Sequence, residues 1–209
     1  VNISNGSDYC KRGILLVTIN YRLNAFANAY DEDHAGNYAL KDQIAALMWI
    51  KDNIASFGGD SNHIIGIGES AGALSLQCLL YSPKAKGLLS GSIMMSGGGN
   101  LEVLGVPARP ESTKVVWSLV MEKFGVSSID QLKDVPAREI YNAWCAAAAT
   151  DINLSNNCAK PIIDGDIIPG CVAELVAAGT INDIPCIFGL SSEDMYPYAL
   201  YTKAVEWGD

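Results

Sequence analysis

The chain has 209 residues, of which 49% are hydrophobic and 18% are charged, and its formal net charge is −9. This length fits one large domain or two small ones, with enough apolar residues for a substantial core. The acidic balance without a basic patch argues against nucleic acid or an anionic membrane surface as a partner, and no apolar run reaches the roughly 18 residues of a membrane span.

The first half of the chain alternates between strand and helix patterns. A near-continuous apolar run from Gly13 to Tyr21 predicts a strand buried on both faces of a parallel sheet. Residues 37–56 follow as a helix, because apolar side chains recur every three or four positions. Two more apolar strands, at 64–67 and around Ser92–Met95, enclose another helix. This order predicts a parallel α/β sheet, whose site collects beyond the carboxyl ends of the strands.

The most informative stretch is Gly68-Glu69-Ser70-Ala71-Gly72, between an apolar strand and a mostly apolar helix. It has the Gly-x-Ser-x-Gly pattern of a nucleophile elbow, a cramped strand-to-helix turn that holds the serine hydroxyl clear of the backbone. Gly68 and Gly72 fit this turn because residues two before and two after the serine come close together. The alternative is an ordinary glycine-rich turn with a buried hydroxyl.

Residues 107–159 have helical patterns. The predicted helices span Glu111–Phe124, Ser128–Lys133 and Pro136–Ala149. Ser128 and Gln131 form a capping box. We expect a helical insertion lying over the sheet, with apolar side chains such as Trp117 and Trp144 in its core.

Residues 160–209 return to the sheet. An Asp-Gly turn and a short helix precede a buried strand at Ile184–Gly189, which leads into the acidic residues Glu193 and Asp194. Acidic residues just past the carboxyl end of a strand are well placed to serve a site on that edge. A solvated loop is the alternative.

A serine nucleophile needs a base, usually a histidine oriented by a carboxylate. The chain has two histidines, His34 and His63. His63 begins the strand whose far end carries Ser70, and seven residues at about 3.3 Å each place it roughly 20 Å away. His34 lies in an acidic loop and is expected at the surface. Because α/β-hydrolases have the order serine, acid, histidine, we expect the histidine beyond Asp209.

Besides the histidine, such a site needs an oxyanion hole with two hydrogen-bond donors. One donor is the N–H after the nucleophile, here that of Ala71, and the other normally comes from an earlier Gly-rich loop. No such loop precedes Gly13. We therefore expect the domain to be incomplete at both ends, with 1–106 as central sheet and elbow, 107–159 as helical insertion, and 160–209 as return to the sheet with the acid loop.

The chain has six cysteines, which are Cys10, Cys78, Cys145, Cys158, Cys171 and Cys186. None has the Cys-x-x-Cys spacing of metal or redox sites, and we expect no metal or other cofactor. Free thiols in a reducing compartment are the expectation, which favours the cytoplasm, while secretion and a Cys145–Cys158 bridge stay open.

Four segments carry a family likeness, namely Val17–Asn24, Gly36–Gln43, Ile54–Asp60 together with Gly68–Gly72, and Met94–Gly98. With them the chain resembles the type-B carboxylesterase/lipase family, which includes para-nitrobenzyl-type esterases and cholinesterase-like proteins. The likeness is dense from Gly13 to Gly99, thins through the helical insertion, and returns at Ile163–Gly165 and Ile187–Asp194.

The resemblance implies an α/β-hydrolase fold and cofactor-free hydrolysis of small carboxylic esters through an acyl-enzyme. It gives Ser70 the role of nucleophile and Asp194 that of the acid. Family members mostly have Glu followed by Gly at that position, whereas here Met195 follows Asp194 and Glu193 precedes it. Glu193 is therefore the alternative acid.

The resemblance also places Arg22, Asp42 and Glu69 in a structural ion-pair network around the elbow. The alternatives to a carboxylesterase are a non-catalytic cholinesterase-like binding protein, which typically lacks the elbow serine, and another serine hydrolase such as a lipase or an amidase. Without the histidine and the Gly-rich loop, we expect the 209 residues alone to be nearly inactive. The sequence sets neither the ester preference nor the oligomeric state.

Overall fold

The computed structural model describes residues 6–97, 107–192 and 194. Its helices are α1 (Ser7–Cys10), α2 (Tyr38–Asn53), α3 (Ala71–Tyr81), α4 (Glu111–Phe124), α5 (Ala137–Ala148), α6 (Ile152–Asn157) and α7 (Val172–Ala177). Its strands are β1 (Ile65–Glu69), β2 (Gly91–Met95) and β3 (Cys186–Gly189). Short 3₁₀ turns occur at Asn24–Ala27, Ile54–Phe57, Pro83–Ala85 and Ile129–Leu132.

The three strands form one parallel sheet in the order β1-β2-β3. Ile67, Ile93 and Ile187 are in register across it. The carboxyl ends of all three strands therefore meet at one edge, which we call the carboxyl edge of the sheet. The predicted α/β architecture with a parallel sheet is confirmed.

The predicted first strand is not present. Residues 14–23 form neither helix nor strand, and Ile14 and Val17 are 50% and 42% exposed. A strand needs a neighbour that satisfies its backbone hydrogen bonds, and among the described residues no strand pairs with this segment. The prediction of a buried strand here is wrong because apolar content alone does not supply a pairing partner.

Helix α3 covers one face of the sheet at β1 and β2. The first core cluster joins Leu76 and Leu79 of this helix to Met94 of β2, with Leu40 and Ile44 of α2 packed behind them. Gly66 permits the close approach, because a Cβ there would lie 2.5 Å from Leu76 Cδ2. The cluster thus fixes the start of α3 against the end of β1.

The opposite face of the sheet is exposed. Successive side chains of a strand point to opposite faces, and Ile67 and Ile187 on this face are 48% and 62% exposed. The prediction that the strand at Ile184–Gly189 is buried is wrong, because among the described residues Phe188, on the side of α3, is also 60% exposed, so that neither face of β3 is fully covered.

The helical segment has its own core. Val116, Trp117 and Val120 of α4 pack with Ile140 and Trp144 of α5 in the second cluster. Both tryptophans are buried, as predicted from their helical spacing. Two of the three helices predicted in this segment are confirmed, since α4 has its predicted bounds and α5 is one residue shorter at each end.

The rest of this segment follows local capping rules. The predicted capping box of Ser128 and Gln131 is present, but it caps a 3₁₀ turn rather than an α-helix. Helix α6 was not predicted, and Asp151 caps it by accepting from the N–H groups of Asn153 and Leu154. Such a cap compensates for the poor helix propensity of the asparagines that follow.

A buried asparagine connects the two parts of the chain. Asn37 lies in the left-handed region with φ 53°. Its side chain donates to the carbonyl of Ile162 at 2.7 Å and accepts from the N–H of the same residue at 2.9 Å. Asn28 adds a second connection, because it accepts from the N–H of Asn37 and donates to the carbonyl of Lys160. These bonds attach the start of α2 to the segment after the helices.

All six cysteines are free thiols in this structure. Cys78 is buried, as expected of a core residue, and burial raises the pKa of its thiol to about 12. Cys145 and Cys158 do not form a bridge. Within the described ranges, no helix combines the length and the apolar character needed to cross a bilayer.

Candidate active site

Ser70 lies between the last residue of β1 and the first residue of α3. Its backbone has φ 51° and ψ −115°, a strained conformation for a residue with a side chain. Ser70 is exposed. The predicted strand, turn and helix are therefore all present, and the alternative of a buried hydroxyl does not describe this turn.

The two glycines of the motif have different roles. A Cβ at Gly68 would overlap the carbonyl group of Gly72 and lie 2.7 Å from the nitrogen of Ala73. A Cβ at Gly72 would have no described atom within 4 Å apart from its chain neighbours and the backbone of its own helix. Close packing within the turn therefore requires glycine at position 68, whereas the described residues give no steric reason for glycine at 72.

The end of β2 lies beside the elbow and is hydrogen-bonded to it. The N–H of Ser70 donates to the carbonyl of Met95 at 2.9 Å, and the N–H of Ser96 donates to the carbonyl of Gly189 at 2.7 Å. Ser96 also has a positive φ, 50°. A Cβ at Gly97 would lie 2.5 Å from the carbonyl oxygen of Ser70. Residues 96 and 97, which we call the β2 corner, thus connect the ends of all three strands.

The sequence prediction missed the role of the β2 corner. The signal was a Ser-Gly pair directly after a strand, which is too common to single out without knowledge of strand order. Only the register of β1, β2 and β3 brings the corner against Ser70.

Ala71 is the first residue of α3 and is exposed. The first intrahelical bond around the elbow runs from the N–H of Leu74 to the carbonyl of Ser70 at 3.1 Å. The N–H of Ala71 belongs to the first turn, whose N–H groups have no acceptor within the helix. It is therefore available to a negatively charged or polar oxygen beside Ser70.

Asp194 follows β3 beyond the same carboxyl edge and is half-buried. Neighbouring strands are about 4.8 Å apart, so the ends of β1 and β3 are separated by roughly 10 Å. Its carboxylate has no hydrogen-bond or ion-pair partner among the residues that the structure describes. Glu193 and Met195 lie outside the described residues.

The two histidines are placed elsewhere. His63 is exposed and precedes β1, at the edge opposite Ser70. His34 was expected at the surface, but its side chain is only 23% exposed, with Nδ1 2.6 Å from Asp31 and Nε2 3.5 Å from Asp130. Burial would raise the pKa of Asp31, but hydrogen bonds from the Ile129 N–H and from His34 outweigh it and lower that pKa. His34 therefore joins an acidic loop to the helical segment.

Comparison with known proteins decides the family. A family model described as "Carboxylesterase family" matches residues 2–206, which is nearly the whole chain. The chain belongs to the carboxylesterase family.

Carboxylesterase relatives match along most of the chain. It is 30% identical to para-nitrobenzyl esterase of Bacillus subtilis over 200 residues, and 34% identical to carboxylesterase 5A of Felis catus over 188 residues. These matches cover 92% and 87% of this chain but only 40% and 33% of the relatives. The chain thus spans well under half the length of these carboxylesterases.

Solved carboxylesterase structures have the same fold. Carboxylesterase EST55 of Geobacillus stearothermophilus superposes with a TM-score of 0.79 at 31% identity, covering 96% of this chain and 42% of that one. A thermophilic para-nitrobenzyl esterase gives a TM-score of 0.81 at 29% identity over 93% of this chain and 41% of that one. The α/β-hydrolase fold expected from the sequence is therefore shown.

The expected ion-pair network of this carboxylesterase chain is partly present. The Arg22 guanidinium contacts both carboxylate oxygens of Asp42, at 2.8 and 2.6 Å, and its backbone N–H donates to the same carboxylate. These hydrogen bonds lower the pKa of Asp42, against the opposing effect of its partial burial. Arg22 also stacks 4.7 Å from the ring centre of Tyr38. Glu69 is exposed and makes no ion pair with a described residue.

Within residues 6–97, 107–192 and 194, no three His, Cys, Asp or Glu side chains are grouped so that they could hold a metal ion.

Proposed function

We propose that this chain carries the nucleophile of a serine carboxylesterase, and that Ser70 attacks the carbonyl carbon of a small carboxylic ester. The observation that carries the proposal is the exposed serine at a positive-φ turn, directly before a helix N-terminus. A buried or loosely placed serine would have no such access to a substrate. Membership of the carboxylesterase family supports the reaction class.

Attack by Ser70 Oγ forms a bond to the carbonyl carbon, passes the hydroxyl proton to a general base and converts the carbonyl oxygen into an oxyanion. The N–H of Ala71 donates to that oxyanion, which needs stabilisation as its charge develops. Collapse of this intermediate breaks the bond to the alkoxy oxygen, which takes the proton back from the base and leaves as the alcohol. Water then hydrolyses the acyl-enzyme to the free acid. No cofactor takes part in these steps.

We infer that the base is a histidine outside these 209 residues, oriented by Asp194. His63 lies at the opposite edge, and both ring nitrogens of His34 face carboxylates. The position of Asp194 past the end of β3 supports its assignment as the acid, with Glu193 as the alternative. The second oxyanion donor, a Gly-rich loop, is likewise inferred to lie outside the chain.

The proposal predicts that the 209-residue chain on its own is nearly inactive. Loss of one oxyanion donor alone costs roughly 10²–10³ in rate, and loss of the base adds to this. Brisk turnover of para-nitrophenyl acetate by the isolated chain would contradict the assignment of the base and the second donor to other parts of the protein.

Fluorophosphonate labelling of the complete protein tests the role of Ser70, because the reagent modifies only an activated serine. We expect labelling of the wild type at Ser70 and none in Ser70→Ala. The matched control is Ser118→Ala, since Ser118 is exposed on α4 and, among the described residues, its hydroxyl donates to the carbonyl of Val115 alone. A wild-type protein that stays unlabelled would instead favour a non-catalytic binding protein.

Substrate comparison separates the other serine hydrolases. A carboxylesterase is expected to hydrolyse para-nitrophenyl acetate faster than a long-chain ester and much faster than the corresponding anilide. A preference for the long-chain ester would favour a lipase, and efficient anilide cleavage would favour an amidase.

A further inference from the structure

The β2 corner lies directly against the backbone of the elbow. A Cβ at Gly97 would lie 2.5 Å from the carbonyl oxygen of Ser70, 3.2 Å from its carbonyl carbon and 2.9 Å from Ala73 Cβ. Gly97 therefore lies beside the oxygen of this carbonyl, with no room for one more carbon between them. No other side chain is needed to explain the contact.

The Ser70 carbonyl and the Ala71 N–H belong to the same peptide unit. A peptide unit is planar and stiff, so a force on its oxygen turns the whole plane, including the N–H at its other side. That N–H is the oxyanion donor of the proposed reaction. The carbonyl is also held by the N–H of Leu74 at 3.1 Å, which restrains the plane from the helix side.

We propose that Gly97 is a positioning residue that sets the direction of the Ala71 N–H by its close packing beside the Ser70 carbonyl oxygen. This inference rests on the proposed function, because it assigns Gly97 a role in the reaction of Ser70. It goes beyond the Gly-x-Ser-x-Gly motif, since the supporting residue comes from the neighbouring strand, 27 positions after the nucleophile.

The geometry sets the expected effect of a methyl group at this position. An ordinary contact would place the new Cβ at 3.4 Å or more from the Ser70 oxygen, rather than at 2.5 Å. The carbonyl must therefore move by up to about 1 Å, and the N–H turns with it. An oxyanion donor works only within about 2.7–3.1 Å of the oxygen, so Gly97→Ala should lower kcat by roughly 10- to 100-fold.

The effect should fall on kcat rather than on KM. The oxyanion exists in the transition state and not in the bound ester, so a misdirected donor weakens only the transition state. A thionoester, whose developing negative charge is on sulfur, accepts weaker hydrogen bonds. Gly97→Ala should therefore slow the oxygen ester much more than the matching thionoester.

The experiment measures kcat and KM of the complete protein for an oxygen ester and its thionoester, with the thermal midpoint of each variant. For Gly97→Ala we expect KM within about threefold of wild type. The ratio of kcat for the oxygen ester to kcat for the thionoester should fall roughly tenfold. The matched control is Gly91→Ala, at the other end of β2, where a Cβ would contact Ile65 Cδ1 at 3.0 Å. That variant should keep the ratio within twofold.

A second variant keeps the inference testable if Gly97→Ala does not fold. Gly97→Ala combined with Ala73→Gly removes the contact with the Ala73 Cβ but keeps the contact with the Ser70 oxygen, and its ratio should still fall relative to Ala73→Gly alone. An unchanged ratio in a folded variant, with the wild type labelled at Ser70, would overturn the role of Gly97 only. A wild type that is not labelled would overturn the proposed function and this inference together.

Discussion

At the scale of single residues, the two motif glycines give the sharpest prediction of the structure. Gly68→Ala places a methyl group against the backbone of Gly72 and Ala73, which cannot move without distorting the elbow. We expect a loss of several kcal/mol in the free energy of unfolding, above the usual 1–3 kcal/mol of overpacking, or no folded protein. Urea unfolding measures the change.

The matched variant is Gly72→Ala. Apart from its chain neighbours and the backbone of its own helix, no described atom lies within 4 Å of its new Cβ, and alanine is favoured over glycine in a helix by about 0.5–1 kcal/mol. We expect a stability equal to or slightly above that of wild type. A large loss in this variant would mean that residues outside the described ranges pack against position 72.

The sequence could predict Ser70 because the elbow is a local pattern of five residues. It could not predict the positions of Gly97 and Asn37, because their contacts depend on parts of the chain far away. Gly97 lies close to Ser70 at the ends of two neighbouring strands, and Asn37 bonds to Ile162, 125 positions later. The sequence around a glycine or an asparagine does not indicate which distant residue it will contact.

At the scale of elements, the Arg22–Asp42 pair joins the segment before α2 to the helix itself. The pKa of Asp42 is lowered in the folded state by its hydrogen bonds to Arg22. A lowered carboxyl pKa stabilises the fold above the unfolded value, near 3.8, and this contribution is lost as the pH falls through the folded value. Arg22 stays charged throughout, so only the carboxylate sets the pH range.

Asp42→Asn tests this contribution. Because Arg22 is 48% exposed and solvent screens the pair, we expect the variant to lose about 0.5–1 kcal/mol of unfolding free energy near pH 7. The difference from wild type should shrink below about pH 4. The control is Asp52→Asn, an exposed residue of the same helix that has no ion-pair partner among the described residues. A difference that persists unchanged to pH 2.5 would contradict the assignment.

The elements also show where pattern reasoning failed. Helices α4 and α5 were predicted closely because a helix satisfies its own hydrogen bonds and its periodicity reports its buried face. The run from Gly13 to Tyr21 has the composition of a strand. A strand also needs a neighbouring strand to pair with, and the sequence of the run does not show which segment that would be. The missed helix α6 is short and polar, so it has no periodicity to detect.

At the scale of the whole molecule, the described residues form two hydrophobic cores and leave one face of the sheet uncovered. One core lies between the sheet and the helices α2 and α3, and the other lies among α4, α5 and their connections. The parallel sheet could be predicted from the alternation of elements. The uncovered face could not, because an apolar strand pattern indicates burial without saying which segment provides it.

The uncovered face leads to a prediction for the chain expressed alone. Ile67, Ile93 and Ile187 form a row across this face, with Ile67 and Ile187 largely exposed. Exposed apolar patches of this kind favour self-association and dye binding. Because the chain spans only 40% of para-nitrobenzyl esterase, we expect the isolated 209 residues to bind 8-anilinonaphthalene-1-sulfonate and to associate at micromolar concentration.

Ile187→Ser should lower both the dye fluorescence and the apparent mass in light scattering, with little change in stability because Ile187 is 62% exposed. Ile152→Ser is the control, since Ile152 is 70% exposed but lies on α6, away from the sheet. Removing an isolated exposed isoleucine should leave dye binding unchanged, whereas interrupting the row should weaken it. Equal effects of the two substitutions would show that general apolar exposure, and not this sheet face, controls the association.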